Sequence, residues 1–262
     1  MLDQITPIIL TYNEAPNIGR VLEKLGWAKE ILVVDSFSHD ETLEMVKQNP
    51  RARVVQRKFD NFGDHRNFAL ERGEIKTEWI IFLDADYILT DELIEEIKDL
   101  RPAPDIVGYR TRFVYCIYGR LLRSTVYPPL VSLFRKDRGR YVADGHTQKL
   151  MIQGRTEWLK SPILHDDWKS LDRWLASQDY YARLEVAKLI RSELNQLSLI
   201  DRFRKMVFFA PFAMFWYCLF GKRLILDGRV GWYYTFQRLY AEMALSLYLM
   251  QYKLEKIFPK LD

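Results

Sequence analysis

Trp79-Ile80-Ile81-Phe82-Leu83-Asp84-Ala85-Asp86 is the stretch whose reading decides the fold. Five apolar residues in a row, two of them β-branched, predict a strand buried on both faces, as in a parallel sheet. Two carboxylates then stand one alanine apart where the strand should end. Both cannot enter an apolar core without a large desolvation cost. In a sheet of this kind strand-end carboxylates face the crevice where ligands bind, and there they can hold a hard cation with a phosphate-bearing ligand. The competing reading is a cluster of acids at a helix N-terminus, because Thr90-Asp91-Glu92 opens a helical pattern just downstream.

The segments upstream repeat the same design. Ile5-Thr6-Pro7-Ile8-Ile9-Leu10 is strand-like and ends at Thr11-Tyr12-Asn13-Glu14; Pro16 then opens a helix from Asn17 to Leu25 with Ile18, Val21, Leu22 and Leu25 on one face. Glu30-Ile31-Leu32-Val33-Val34-Asp35 is a second strand ending in an acid, followed by a helix that starts around Ser38 to Thr42 and runs to about Gln48. Arg53 to Gln56 is a short third strand, and Asp64 to Arg72 reads as a helix with His65, Arg66 and Asn67 in its first turn. A helix from Asp91 to Leu100 closes the series. This βαβα order predicts an α/β fold with a mainly parallel sheet and helices on both faces. Tyr12, Glu14, Asp35, Asp84 and Asp86 then converge from three strands on the ligand-binding edge. No Gly-x-Gly-x-x-Gly follows the first strand and no Gly-Lys-Ser/Thr loop occurs, which disfavours a dinucleotide site and a P-loop. What remains is a nucleotide held by an aromatic face, carboxylates and a divalent cation.

Composition sets the frame for that site. The chain has 262 residues, 48% hydrophobic and 28% charged, which describes an ordered globular protein of one large or two smaller domains. A net charge of +4 is too small to argue for a nucleic-acid partner. Cys116 and Cys218 lie far apart without metal-ligand spacing, which fits a reduced intracellular compartment. Met1-Leu2-Asp3-Gln4 leads into a strand without a basic region or a signal-length apolar run, so no secretion is expected.

Thr11-Tyr12-Asn13-Glu14, Val33-Val34-Asp35-Ser36, the His65-Arg66-Asn67 helix start and Leu83-Asp84-Ala85-Asp86 together resemble the family 2 glycosyltransferases of GT-A fold, a Rossmann-like architecture. The branch that includes lipopolysaccharide core glucosyltransferases is the most similar, and the resemblance covers roughly the first two-thirds of the chain. It implies that Thr11, Tyr12 and Glu14 line a nucleotide pocket, with Tyr12 near the base. It further implies that Asp35 bonds uracil or ribose, that Arg66 reaches the diphosphate or base, and that Asp84 faces ribose and metal. Asp86 would ligate Mg2+ or Mn2+ directly. For Asp35 the alternative is a helix cap, and for Arg66 a solvated helix charge.

The acceptor side is less regular. Val107 to Val114 and Leu130 to Arg135 alternate as strands, with aromatic and basic Tyr115 to Pro129 as a loop over the site. Relatives of the core glucosyltransferase type carry a His-Glu pair, the Glu resembling their catalytic base, near Asp144-Gly145-His146-Thr147. Here Thr147 follows His146, so Asp144 is the nearest carboxylate, Asp166 the reserve and His146 a third candidate. His165, after Ile163-Leu164, resembles the family's late metal or diphosphate histidine; a core or cap histidine is the alternative.

A boundary is expected after residue 168. Leu171 to Arg204 is a long helical pattern with one apolar stripe, and the run from Met206 to Phe220 is apolar, contains Pro211 and is flanked by Arg202, Arg204, Lys205, Lys222 and Arg223. At fewer than the roughly 20 residues needed to cross a bilayer, it fits a helix lying on an anionic membrane surface. The alternative is a helix packed in the core. Trp232-Tyr233-Tyr234 and the stretch Leu239 to Tyr252 form a second apolar helix, and Gln237, Arg238 and Glu242 argue against its crossing. The expectation is therefore a GT-A domain over 1–168 and a C-terminal helical, membrane-surface extension over 169–262. The activity expected is an inverting, metal-dependent transfer from a UDP-sugar to a lipid-linked or cell-envelope glycan, with the protein peripheral on the cytoplasmic face of the plasma membrane. Two other classes stay open: a nucleotidyltransferase, which wants a glycine-rich basic loop that Thr11 to Gly19 does not supply, and a non-catalytic nucleotide-sugar-binding scaffold. Oligomeric state is left open as well.

Overall fold

The computed structural model describes residues 1–145 and 147–258. The chain forms two compact units. The first comprises Met1–Leu121, Tyr127–Ala143 and Thr147–Lys169; the second runs from Ser170 onward and takes in Leu122–Val126 with Asp144 and Gly145.

In the first unit β1 (Ile5–Thr11), β2 (Ile31–Asp35), β3 (Ala52–Gln56) and β4 (Trp79–Asp84) pair in parallel in the order β3-β2-β1-β4. α1 (Ala15–Glu23), α2 (Thr42–Lys47) and α3 (Phe62–Arg72) connect them. Every residue of β1 and β2 is buried, as a sheet covered on both faces requires. Strand alternation sends Ile9, Val33, Ile81 and Leu83 to the face holding Ile18, Val21 and Leu22 of α1. Ile8, Leu32, Val34, Ile80 and Phe82 go to the other face, with Ala69 of α3. The register sets Thr11 opposite Asp35 and Leu10 opposite Asp84, so the strand-end acids reach one edge together.

After β4 the chain makes a short β5 (Tyr87–Leu89) before α4 (Asp91–Asp99), whose N-terminus Thr90 caps by accepting from the Leu93 amide at 3.1 Å. The helix-cap alternative for Asp84 and Asp86 is thereby removed. β6 (Ile106–Thr111), β7 (Phe113–Ile117), β8 (Arg120–Leu121), β9 (Leu130–Arg135), β10 (Gly139–Asp144), β11 (Thr147–Ile152), β12 (Arg155–Trp158) and β13 (Ile163–His165) follow. β9 joins the main sheet antiparallel to both β4 and β6, and β12 closes its edge parallel to β6, so the sheet is mixed beyond β4. The strand expected over 107–114 is two strands in two sheets, because the chain leaves the main sheet at Arg112 and β7 enters a smaller one, β5-β13-β7-β8. The expected loop over 115–129 begins instead with a hairpin, β7 and β8 joined by a turn at Tyr118 and Gly119.

The second unit is helical: α5 (Leu171–Arg191), α6 (Leu199–Arg204), α7 (Phe209–Trp216) and α8 (Gly228–Ile257). Ala182, Val186 and Leu189 meet Leu197, Val207, Leu245 and Leu249 in its core. The single helical pattern expected over 171–204 is interrupted. Ser192 is extended, Leu197 turns back into the core, and Ser198 starts α6 by accepting from the Asp201 amide at 3.1 Å. Pro211 falls in the first turn of α7, where a missing amide hydrogen costs no helical bond.

Candidate active site

The site lies in the first unit, where the parallel strands end. Asp35 is fully buried there, and its two oxygens accept four hydrogen bonds: from Thr11 Oγ1 at 3.0 Å, Ser38 Oγ at 2.5 Å, the Ser38 amide at 3.0 Å and Gln56 Nε2 at 3.1 Å. Thr11 and Asp35 thus hold the loop after β2. Asp35 does not cap α2; Asp40 accepts from the Thr42 amide at 3.1 Å. A bond from Asp35 to uracil or ribose would compete with these four. Tyr12, just beyond β1, has half of its surface exposed.

α3 brings polar side chains to the same edge. Arg66 is buried, not solvated: its Nη2 donates to Asp84 Oδ1 at 2.6 Å, and its guanidinium lies 5.3 Å from the Phe82 ring and 5.5 Å from the Tyr141 ring. His65 sits between Ser36 and Arg57, each 3.2 Å from a ring nitrogen. Burial first, and the neighbouring Arg57 charge second, push its pKa down to about 4, so the ring is neutral near pH 7.

Asp86 anchors the other half of the site and is almost entirely buried. His165, at the end of β13, is paired with Tyr87 in register and places Nε2 3.3 Å from Asp86 Oδ2. The imidazole is enclosed by the rings of Tyr115, Tyr127 and Tyr87, with centroids 4.1, 5.3 and 5.1 Å away. Lys169 reaches into the same cluster. Its Nζ lies 3.0 Å from Glu14 Oε1, 3.4 Å from Asp167 Oδ2 and 3.8 Å from Asp86 Oδ2. Burial alone would push the Lys169 pKa down, but the charges of Asp86, Glu14 and Asp167 outweigh it and hold the pKa above its usual value. For Asp86 burial acts upward and is overcome by His165 and Lys169, which keep this carboxylate well below the usual range. Glu14 goes the other way, because burial wins over Lys169 and raises its pKa.

A second ring of contacts fixes the segment after β13. Arg20 Nη1 donates to Asp166 Oδ2 at 2.6 Å while its guanidinium stacks 3.8 Å above Trp168, and Trp168 Nε1 donates to the same oxygen at 3.0 Å. Asn17 Nδ2 donates to Asp167 Oδ1 at 2.9 Å. Asn17, Arg20, Asp167 and Lys169 were not marked by the sequence; the one signal was the acid pair after His165. The candidates for the base fall apart. Asp166 is buried under Arg20 and Trp168 in the first unit, whereas Asp144 groups with the second unit, ion-paired to Lys188 Nζ at 2.8 Å. His146 lies outside the described residues.

The donor atoms suit a divalent cation that shares its shell with a ligand. Asp86 Oδ1 and His165 Nδ1 are both buried without a hydrogen-bond partner. Among the described residues no group of three or more His, Cys, Asp or Glu side chains could hold a metal alone. Magnesium-type sites with one or two carboxylates are completed by substrate phosphate oxygens and water, which is the shell available here.

Known proteins resemble this chain along most of its length. The lipopolysaccharide core biosynthesis glycosyltransferase LpsC of Rhizobium meliloti (strain 1021) is 26% identical over 260 residues, covering 92% of this chain and 94% of LpsC. An uncharacterized glycosyltransferase of Rickettsia bellii (strain RML369-C) is 23% identical over 262 residues, covering 93% of this chain and 87% of its own. Among solved structures, S. aureus TarS 1-349 in complex with UDP-GlcNAc aligns at 14% identity with a TM-score of 0.46, covering 91% of this chain and 90% of that one. The fold is of the GT-A type, an α/β domain on a mixed central sheet with a C-terminal helical region. The model of Glycosyl transferase family 2 matches residues 6–154, from β1 to just past β11 and so across Asp84 and Asp86, and the chain belongs to that family.

Proposed function

We propose that the protein is an inverting, divalent-cation-dependent glycosyltransferase that moves a sugar from a UDP-sugar to a lipid-linked or cell-envelope glycan at an anionic membrane surface. The observation that carries this reading is Asp86, a buried strand-end carboxylate with one oxygen lacking a partner, beside Lys169 and one residue from the Arg66-paired Asp84. Departure of a nucleoside diphosphate needs positive charge where negative charge grows. Mg2+ or Mn2+ on Asp86 and His165 would supply that charge. Arg66 and Lys169 add cationic charge fixed by the fold, and Tyr12 offers an aromatic face for the base. Glu14, Thr11 and Asp35 shape the nucleotide pocket through the segments they hold in place. The proton of the acceptor hydroxyl is assigned to Asp144, whose side chain is 45% exposed, with Asp166 in reserve.

The acceptor class is supported by family membership and by the name of LpsC, a lipopolysaccharide core enzyme that aligns along nearly its whole length. Free, buried thiols at Cys116 and Cys218 suit a reducing compartment, and with it the cytoplasmic face of the membrane. The test is UDP binding with and without Mn2+, followed by transfer from a UDP-sugar panel to membrane extract. Asp86→Ala is expected to abolish transfer and the Mn2+-dependent part of UDP binding while the protein melts near the wild-type temperature. Unchanged Mn2+-dependent UDP affinity in the variant overturns the reading.

A further inference from the structure

Lys169 enters the proposed reaction only as cationic charge fixed by the fold, yet it sits at the centre of the acid cluster. It is the last residue of the first unit, immediately before Ser170, which caps α5. Its side chain is 19% exposed, yet the ammonium meets three carboxylates, Glu14, Asp167 and Asp86. A surface lysine that only solvates a helix start does not do this. Burying an ammonium is costly unless it is paired; here it donates to Glu14 at 3.0 Å and also lies 3.8 Å from Asp86, the carboxylate expected to hold the ion. Three carboxylates meet one ammonium here, with the His165 imidazole also against Asp86, so acidic groups outnumber the fixed cation and leave room for further positive charge. The ammonium and such an ion therefore draw on the same negative charge, and at this separation inside the protein they repel each other.

We propose that Lys169 is a positioning residue that sets how tightly the site takes a divalent cation, by sharing Asp86 with it. On its own the ion binds weakly, because Lys169 already answers part of the negative charge. With a nucleoside diphosphate present, the phosphate oxygens supply further negative charge for ion and ammonium alike, and the ion binds firmly. Metal and donor thus load together. Glu14 and Asp167 keep the ammonium at the cluster when the ion is on Asp86, and Asn17 orients both of those acids by donating to Glu14 Oε2 at 3.0 Å and to Asp167 Oδ1 at 2.9 Å. This inference rests on the reading that Asp86 takes a divalent cation.

The experiment is a Mn2+ titration of the full chain, read by the loss of the free-ion paramagnetic signal, without nucleotide and then with UDP. Lys169→Gln removes the charge but keeps a hydrogen-bond donor for Glu14. It is expected to bind Mn2+ alone at least about tenfold more tightly than the wild type, while binding UDP alone more weakly. Lys169→Arg keeps the charge and is expected to stay near the wild-type Mn2+ affinity. The sign matters, since a variant that merely loosened the fold would lose Mn2+ affinity instead of gaining it. Lys169→Met serves as a second neutral variant should the glutamine form fold poorly. Equal Mn2+ affinities in wild type and neutral variants, with UDP still enhancing binding in both, overturn the role of Lys169 and leave the metal reading standing. No Mn2+ binding by any form, with or without UDP, overturns both.

Discussion

Asp84 and Asp86 are separated by a single alanine, yet the fold gives them different partners and so different chemistry. Asp84 is held by Arg66 from α3, while Asp86 is flanked by His165 at the end of β13 and by Lys169 from the segment after it. The acids themselves were legible because a carboxylate pair after five apolar residues has few inexpensive places to go. Their partners were not, since Arg66 and Lys169 are ordinary charged residues until the fold buries them against acids far away in sequence. An inverting transfer needs a proton acceptor across the sugar from the leaving diphosphate, within hydrogen-bond reach of the attacking hydroxyl. Asp166 has one oxygen taken by Arg20 and Trp168, whereas Asp144 keeps much of its surface accessible. Asp144→Asn is expected to lower turnover by at least the roughly hundredfold typical of a lost general base, with UDP-sugar affinity nearly unchanged. Steady-state kinetics with donor and acceptor varied separately check this, and near-wild-type turnover in the variant moves the role to Asp166.

Among the elements, α3 shows how this fold joins a sheet to a site. Its buried residues are mostly polar, namely His65, Arg66 and Asn67 with Gly63 and Ala69, so apolar periodicity cannot account for its placement. Each polar side chain instead finds a specific partner: His65 at Ser36 and Arg57, Arg66 at Asp84, and Asn67 at Tyr141 of β10. Asn67 matches the Tyr141 backbone in both directions, Nδ2 donating to its carbonyl at 2.8 Å and Oδ1 accepting from its amide at 2.9 Å. Asn67→Ala leaves two buried backbone groups unpaired, at about 1–3 kcal/mol each. Urea denaturation should show a loss in that range or above, and a loss within 0.5 kcal/mol, about that of an ordinary surface substitution, would count against the pairing. α1 was legible from its apolar stripe, and α4 from the helical pattern that opens at Thr90-Asp91-Glu92. The split between β6 and β7 was not, because strand alternation carries through Arg112 and says nothing of a change of sheet. Nor was the break between α5 and α6, where apolar spacing continues past Ser192 while the backbone is extended.

At the scale of the whole molecule, the helical unit presents the largest departure from a soluble surface. Leu199, Ile200, Phe208, Phe209, Phe212 and Trp216 each leave more than half of their surface exposed, while Ala210, Cys218 and Leu219 are buried. The apolar run over 206–220 is therefore only partly packed: Val207, Ala210, Pro211, Cys218 and Leu219 are buried, while Phe208, Phe209, Phe212 and Trp216 are exposed. Monomeric proteins seldom leave so many large apolar side chains in one short region without a partner. Among the described residues no single helix is long and apolar enough to cross a membrane; α7 with the π-helix over Tyr217–Gly221, and the helical segment Leu224–Ile257, meet that test only as a pair bent by 67°. Exposed Arg202, Arg223 and Arg229 accompany the aromatic residues, the combination that suits a segment lying among lipid headgroups. Liposomes containing anionic lipid are accordingly expected to co-sediment the protein, with less bound as salt rises, because the arginine contribution is screened while the apolar contribution is not. Phe208→Ser combined with Phe212→Ser should weaken the residual high-salt binding, and Arg202→Gln with Arg223→Gln the low-salt part. A protein that ignores such liposomes at low salt and sediments as an oligomer instead would show that a second copy of the chain, not a bilayer, covers this face.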